Sequence, residues 1–242
     1  VAWKDRFFRI WTDEVEPVGR EEFDRAFYTA DDELVGTVPK DLSLSATIER
    51  LGRGLAARLG ADTAAADRAS RRFARETLAV LAGREALLAR LASTHRLGIV
   101  SNFYGNLLAA CEEAGIRGHF SAAIDSVDVG CVKPDARIFQ AALDALGARA
   151  EDAIFVGDSP GRDMAGARAL GMEHVLLRPN VDGVRQDADT GIAEDERPAR
   201  AFSEKQAAEH IRGVRTDAAR VIAVGQHHRR PETDDRQHMG FW

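Results

Sequence analysis

Cysteine is nearly absent: the 242 residues hold two, Cys111 and Cys131, in no spacing that would suit a metal. That scarcity excludes a disulfide-stapled scaffold and a thiolate-bound zinc. It fits reduced, buried thiols in a cytoplasmic protein. Long hydrophobic runs are lacking as well. No apolar stretch approaches the roughly 18 residues of a membrane-spanning helix, and the first residues lack the short apolar segment of a signal peptide. Positive charge is not in excess. The formal net charge of -6 gives no electrostatic reason to expect nucleic acid or an anionic membrane surface as a partner. A leading methionine is missing too, since the first residue is Val1. What is present is ordinary for a globular chain: 45% hydrophobic and 30% charged residues, enough to bury one larger core or two smaller ones.

Residues 1–92 read as helices. Trp3, Phe7, Phe8, Ile10 and Trp11 recur at helical spacing, as do Phe23, Phe27 and Tyr28, and then Leu44, Ile48, Leu51 and Leu55. The Trp and Phe residues of the first stretch are packing residues. Ser43 and Ser45 are candidate caps for the third stretch, and Thr63 to Arg90 is rich in good helix formers. Near Leu97 the texture changes. Leu97–Val100, Ala122–Val127, Ala153–Val156 and Val175–Leu177 are short apolar runs that predict strands. Between them lie helices, one from Leu107 stopped at Gly115, one with Pro134 near its first turn and closed by Gly147, and one from Met164 to Leu170. Alternating strands and helices predict an α/β fold with a mostly parallel sheet covered on both faces, 93–180, behind an N-terminal helical layer. Residues 181–242 form a polar C-terminal extension, expected to be partly disordered, with a helix at Ser203–Ile211 and an apolar patch, Val221–Val224, packed on the core. His227 and His228 lack the further ligands a metal site needs and belong to a solvated tail.

Ligands of a parallel sheet bind beyond the carboxyl ends of its strands. There the sequence places Ser101-Asn102, Asp125 with Lys133 shortly after, and Asp158-Ser159 with Asp163. A hydroxyl, an amide, an ammonium and several carboxylates around one crevice suit a phosphoryl group and a hard cation. Asp125 reads as structural.

Three segments resemble motifs of the haloacid dehalogenase (HAD)-like hydrolase superfamily. Ile99-Val100-Ser101-Asn102 is similar to its second motif. Val129-Gly130-Cys131-Val132-Lys133-Pro134-Asp135 is similar to its third, and Ile154 to Ala167, with Gly157-Asp158-Ser159 and then Asp163, resembles its fourth. The resemblance covers roughly residues 1–180. It implies a Rossmann-like core and a helical cap (1–92). It also implies a Mg²⁺-dependent phosphatase of a small phosphorylated metabolite, acting through an aspartyl-phosphate. Ser101 and Lys133 would bind the phosphoryl group, Asn102 would position substrate, Asp158 would ligate Mg²⁺, and Asp163 would support the metal or the lysine. A haloacid dehalogenase in the strict sense uses no metal and lacks an acid equivalent to Asp158, so Asp158 favours the phosphatase.

The superfamily's first motif, an apolar strand ending in the nucleophilic aspartate, has no counterpart before Ser101. Asp13-Glu14 and Asp31-Asp32 lie in amphipathic helical stretches and read as solvated faces. The expectation is a truncated chain, its Val1 a GTG start codon read as Val, that hydrolyses phosphoesters poorly or not at all. A catalytically dead binding domain is the alternative from another class. By the resemblance the missing strand belongs in mid-sheet, between the strands ending at Ser101 and Asp158. A vacancy there predicts a marginal fold, because unpaired buried backbone groups cost about 1–3 kcal/mol each.

Overall fold

A computed structural model describes residues 3–177, 201–202 and 221–226. Five helices come first: α1 (Trp3–Glu14), α2 (Arg20–Leu34), α3 (Leu44–Leu59), α4 (Thr63–Ala82) and α5 (Glu85–Ala92). Aromatic side chains on the inner faces of three of them make one nucleus. Phe7 stacks on Phe73 at 4.7 Å between ring centroids, Trp3 meets Phe73 edge-on at 4.6 Å, and Phe23 stacks on Phe27 at 5.8 Å. Such pairs add roughly 0.5–1.5 kcal/mol each beyond their buried area. The Ser43 hydroxyl caps α3 by accepting from the Ala46 N–H at 3.2 Å, and Asp62 caps α4 through Ala65 at 2.8 Å. The stretch from Thr63 to Arg90, rich in helix formers, makes two helices divided at Gly83-Arg84, where the Gly83 N–H turns back to the carbonyls of Ala79 and Leu81.

The remainder alternates: β1 (Arg96–Ser101), α6 (Leu107–Glu113), β2 (Ala122–Asp125), α7 (Ser126–Val129), α8 (Ala136–Leu146), β3 (Ala153–Gly157), a π-helical turn (Pro160–Met164), α9 (Ala165–Ala169) and β4 (Glu173–Leu177). The second strand is shorter than predicted because the Asp125 carboxylate accepts from the Val127 N–H and starts α7. Pro134 stands near the first turn of α8, as expected, directly before the cap Asp135. Both faces of the sheet are covered. Leu97, Ile99, Ile154, Val156 and Val175 join the apolar cluster of α6 and the helical layer, while Val100, Phe155 and Leu176 pack with α8 and α9.

Two short strands from the C-terminal segment complete the sheet: β5 (Ala201–Phe202) and β6 (Val221–Gln226). The order is β2-β1-β6-β3-β4-β5 and every pairing is parallel. The expected mid-sheet vacancy is therefore corrected. β6 stands between β1 and β3, paired with six residues of β1 and four of β3. The backbone groups on which the expectation of a marginal fold rested have partners. Val221–Val224, read from sequence as a patch lying on the core, is the backbone of its central strand. The helix expected at Ser203–Ile211 and the tail from His227 lie outside the described residues.

The helical layer is fastened to the sheet by polar contacts as well as packing. The Tyr104 hydroxyl donates to Asp31 of α2. The Asn106 amide donates to the Leu42 carbonyl at 2.8 Å and the Thr47 hydroxyl at 2.7 Å. Asp31, expected on a solvated face, is buried; its partner lies 73 residues away, where no local pattern reveals it. Burial, then the neighbouring Asp31, raises the Tyr104 phenol well above its ordinary pKa, so it remains a donor. Among the described residues no helix is long and apolar enough to cross a membrane.

Candidate active site at the carboxyl ends of β1 and β3

Ser101 ends β1, and Asp158 directly follows β3, so both stand at the ligand-binding end of the parallel sheet. Lys133 reaches the same end from the loop between α7 and α8. Its side chain is fully buried, with Nζ 2.9 Å from Asp163 Oδ1 and 3.0 Å from the Val100 carbonyl that it donates to. Burial lowers the Lys133 pKa, and Asp163 opposes that shift. An ammonium at this depth is therefore held by its partner carboxylate rather than by solvent.

Asp163 serves more than the lysine. Its Oδ2 accepts from the backbone N–H groups of Asp158 and Ser159, each at 3.1 Å. This close approach requires glycine at 157, where a Cβ would fall 2.5 Å from Asp163 Oδ2. The same holds one helix further on, where a Cβ at Gly166 would lie 2.1 Å from the Phe139 ring. The small residues in the fourth motif-like segment are thus packing requirements that let the acid tuck beneath the strand end.

Asn102 is engaged from both ends of its amide. Its Oδ1 accepts from the Lys133 N–H at 2.8 Å, and its Nδ2 donates to the Lys133 carbonyl at 3.4 Å. It sets the backbone of the lysine loop, a positioning role that the sequence reading did not foresee. Of the five expected residues, Asn102, Lys133, Asp158 and Asp163 are linked by hydrogen bonds, and Ser101 ends the strand that leads into Asn102.

Two atoms of that group have no hydrogen-bond partner: Ser101 Oγ, on a residue 1% exposed, and Asp158 Oδ1. Buried polar atoms left unsatisfied are rare and costly, which marks them as places where a ligand atom fits. Among the described residues no three His, Cys, Asp or Glu side chains form a ready metal cage. Asp163 is committed to Lys133 and to two amides, so the oxygen offered to a cation is that of Asp158. This fits Mg²⁺ bound by one carboxylate and completed by ligand phosphate oxygens and water.

Asp125, at the end of β2, differs. Its Oδ2 accepts from Gly105 and Leu107 N–H at 2.9 and 3.2 Å, and its Oδ1 from Val127 at 3.0 Å. Burial raises its pKa and these amides lower it in part. The carboxylate holds the loop after Ser101 in place. Tyr104 and Asn106, which anchor that loop to the helical layer, gave no motif signal.

A haloacid dehalogenase-like hydrolase family profile matches residues 5–171. The chain belongs to that family. The phosphoserine phosphatase of Thermus thermophilus is 45% identical over 64 residues, 26% of this chain and 26% of that protein. The chain matches between about a quarter and two fifths of the length of such curated relatives. A magnesium-bound HAD hydrolase of Bacillus subtilis shares the fold at TM-score 0.54 and 19% identity, over 88% of this chain and 92% of that one. The L-2-haloacid dehalogenase of Xanthobacter autotrophicus does so at TM-score 0.52 and 16% identity, over 88% and 93%. Fold similarity at this identity shows the fold alone, so the choice between phosphatase and dehalogenase rests on the site.

Proposed function

We propose that this HAD-like hydrolase site takes the phosphoryl group of a small phosphorylated metabolite together with Mg²⁺, as a phosphatase does. The observation that carries the reading is the pair of unsatisfied buried oxygens, Ser101 Oγ and Asp158 Oδ1, beside the buried Lys133–Asp163 pair. Ser101 would donate its hydroxyl proton to a phosphate oxygen. Lys133, steadied by Asp163 and with its loop set by Asn102, would bring positive charge to where the phosphoryl group carries its negative charge. Asp158 would hold Mg²⁺, which when bound neutralises phosphate charge and orients the group.

Asp158 also argues against the dehalogenase reading, since that chemistry requires no cation ligand. The relatives named as phosphatases point the same way. The negative net charge supports a small-molecule partner over nucleic acid or membrane, and the free, buried Cys111 and Cys131 suit the cytoplasm. A second reading, a phosphate-binding domain without turnover, is favoured by one observation: the central strand of the described sheet ends in Gln226 rather than a carboxylate.

The test is calorimetric binding of small phosphomonoesters, with and without Mg²⁺, beside phosphate release. Phosphomonoester should bind, Ser101→Ala should weaken it roughly 10–100-fold, and Asp158→Asn should abolish its dependence on Mg²⁺. Release of halide from 2-haloacids without metal, or no phosphomonoester binding at all, would overturn the reading.

A further inference from the structure

The loop that leads from Ser101 to α6, Asn102 to Asn106, is gripped at every residue, and from two sides. On the sheet side, the Asn102 amide holds the Lys133 backbone at 2.8 and 3.4 Å. Ser126 Oγ accepts from the Phe103 N–H at 3.1 Å and donates to the Phe103 carbonyl at 3.3 Å. The Gly105 N–H donates to Asp125 Oδ2 at 2.9 Å. The remaining grips come from the helical layer. The Tyr104 hydroxyl donates to Asp31 of α2, and the Tyr104 carbonyl accepts from the Gly36 N–H at 3.2 Å. The Asn106 amide donates to Leu42 and Thr47 at the start of α3. Tyr104 and Asp31 are both buried, so water does not readily replace either partner once their contact is broken.

We propose that Tyr104 and Asp31 are positioning residues of the phosphate site: their contact holds the Ser101 hydroxyl and the Lys133 loop in place, so the seating of the helical layer sets how tightly a phosphoryl group is bound. The inference rests on the phosphate reading above and deepens it. Between Tyr104 and Ser101 lie only Phe103 and Asn102, and Asn102 sets the Lys133 backbone. A short loop fixed at each residue transmits displacement, because a close-packed interior yields little. Tyr104 and Asp31 act through that loop, not on the ligand.

The experiment is calorimetry of the full chain with inorganic phosphate, beside urea unfolding and hydrogen exchange of the Lys133 amide followed by NMR. Tyr104→Phe keeps the ring and deletes the hydroxyl. It should weaken phosphate binding about tenfold and speed exchange of the Lys133 amide, which Asn102 holds. Asp31→Asn keeps an acceptor for the phenol and should retain most of the affinity, whereas Asp31→Leu should match Tyr104→Phe. Combining Tyr104→Phe with Asp31→Leu should bind no worse than either alone, as one shared contact requires. Asp62→Ala removes the cap of α4 within the helical layer; it should lower stability and leave phosphate affinity unchanged. If Asp62→Ala weakens binding as much as Tyr104→Phe does, the effect is general loosening and the proposal falls. If Tyr104→Phe binds like the parent while Ser101→Ala is impaired, the positioning role falls and the phosphate reading stands. If the parent chain binds no phosphate, both fall together.

Discussion

Asp125 and Asp158 occupy comparable places, each at the carboxyl end of a parallel strand, and are put to opposite uses. Asp125 accepts from three backbone N–H groups and fixes the loop that follows Ser101. Asp158 keeps a buried oxygen without a partner. A saturated carboxylate holds structure, whereas one left open at a strand end is available to a cation. The same division runs between Asp163, fully engaged, and Ser101, unengaged. Chemistry here is offered by the atoms that folding leaves unsatisfied, and neighbouring saturated groups hold them in place.

The largest break in that comparison comes from Lys133→Met, which strands Asp163 as a buried unpaired charge. It should lose about 3–5 kcal/mol in urea unfolding, and Lys133→Met with Asp163→Asn should recover part of the loss. Full stability in the single variant would mean the pair does not hold the site. Asp125→Ala should cost about 3 kcal/mol, since three amides lose their acceptor. Its loss should also disturb phosphate binding indirectly, through the Ser101 loop.

Cys111, in α6 on the structural side, sharpens the contrast through pH. Burial raises its thiol from 9.0 to about 11. The folded chain therefore holds that proton more tightly than the unfolded one, and stability is lost as pH rises from 9.0 through about 11. The loss should reach about 2–3 kcal/mol. Denaturation midpoints of Cys111→Ala should lack this component, and parallel pH profiles for parent and variant would refute it. The smallest stability effects belong to the open groups. Asp158→Asn and Ser101→Ala should each stay within about 1 kcal/mol of the parent, with their consequences confined to Mg²⁺ and phosphate titrations.

Much of this was legible in the chain. Helical spacing located the aromatic nucleus of Phe7, Phe23 and Phe27, and continuous apolar runs located β1, β3 and β4, because both signals are local and periodic. The site residues could be named because each follows a strand end. Their division of labour could not. Whether Asn102 meets ligand or clamps Lys133, and whether Asp163 takes a cation or a lysine, depends on contacts between segments 31 residues apart or on a close approach beneath a glycine. Asp31 was misplaced for the same reason, its partner being Tyr104.

The sequence by itself determined the family, the alternation of helix and strand, and the chemistry at the strand ends. These rest on residue types and short spacings. Only the tertiary structure decided what stands at the centre of the sheet. Val221–Val224 reads from its residues only as an apolar patch on the core, because nothing in a string of residues says which segments are neighbours in a sheet. Parallel pairing is a non-local choice, made by backbone hydrogen bonds that any apolar segment can offer. That choice set β6 between β1, which ends at Ser101, and β3, which leads into Asp158.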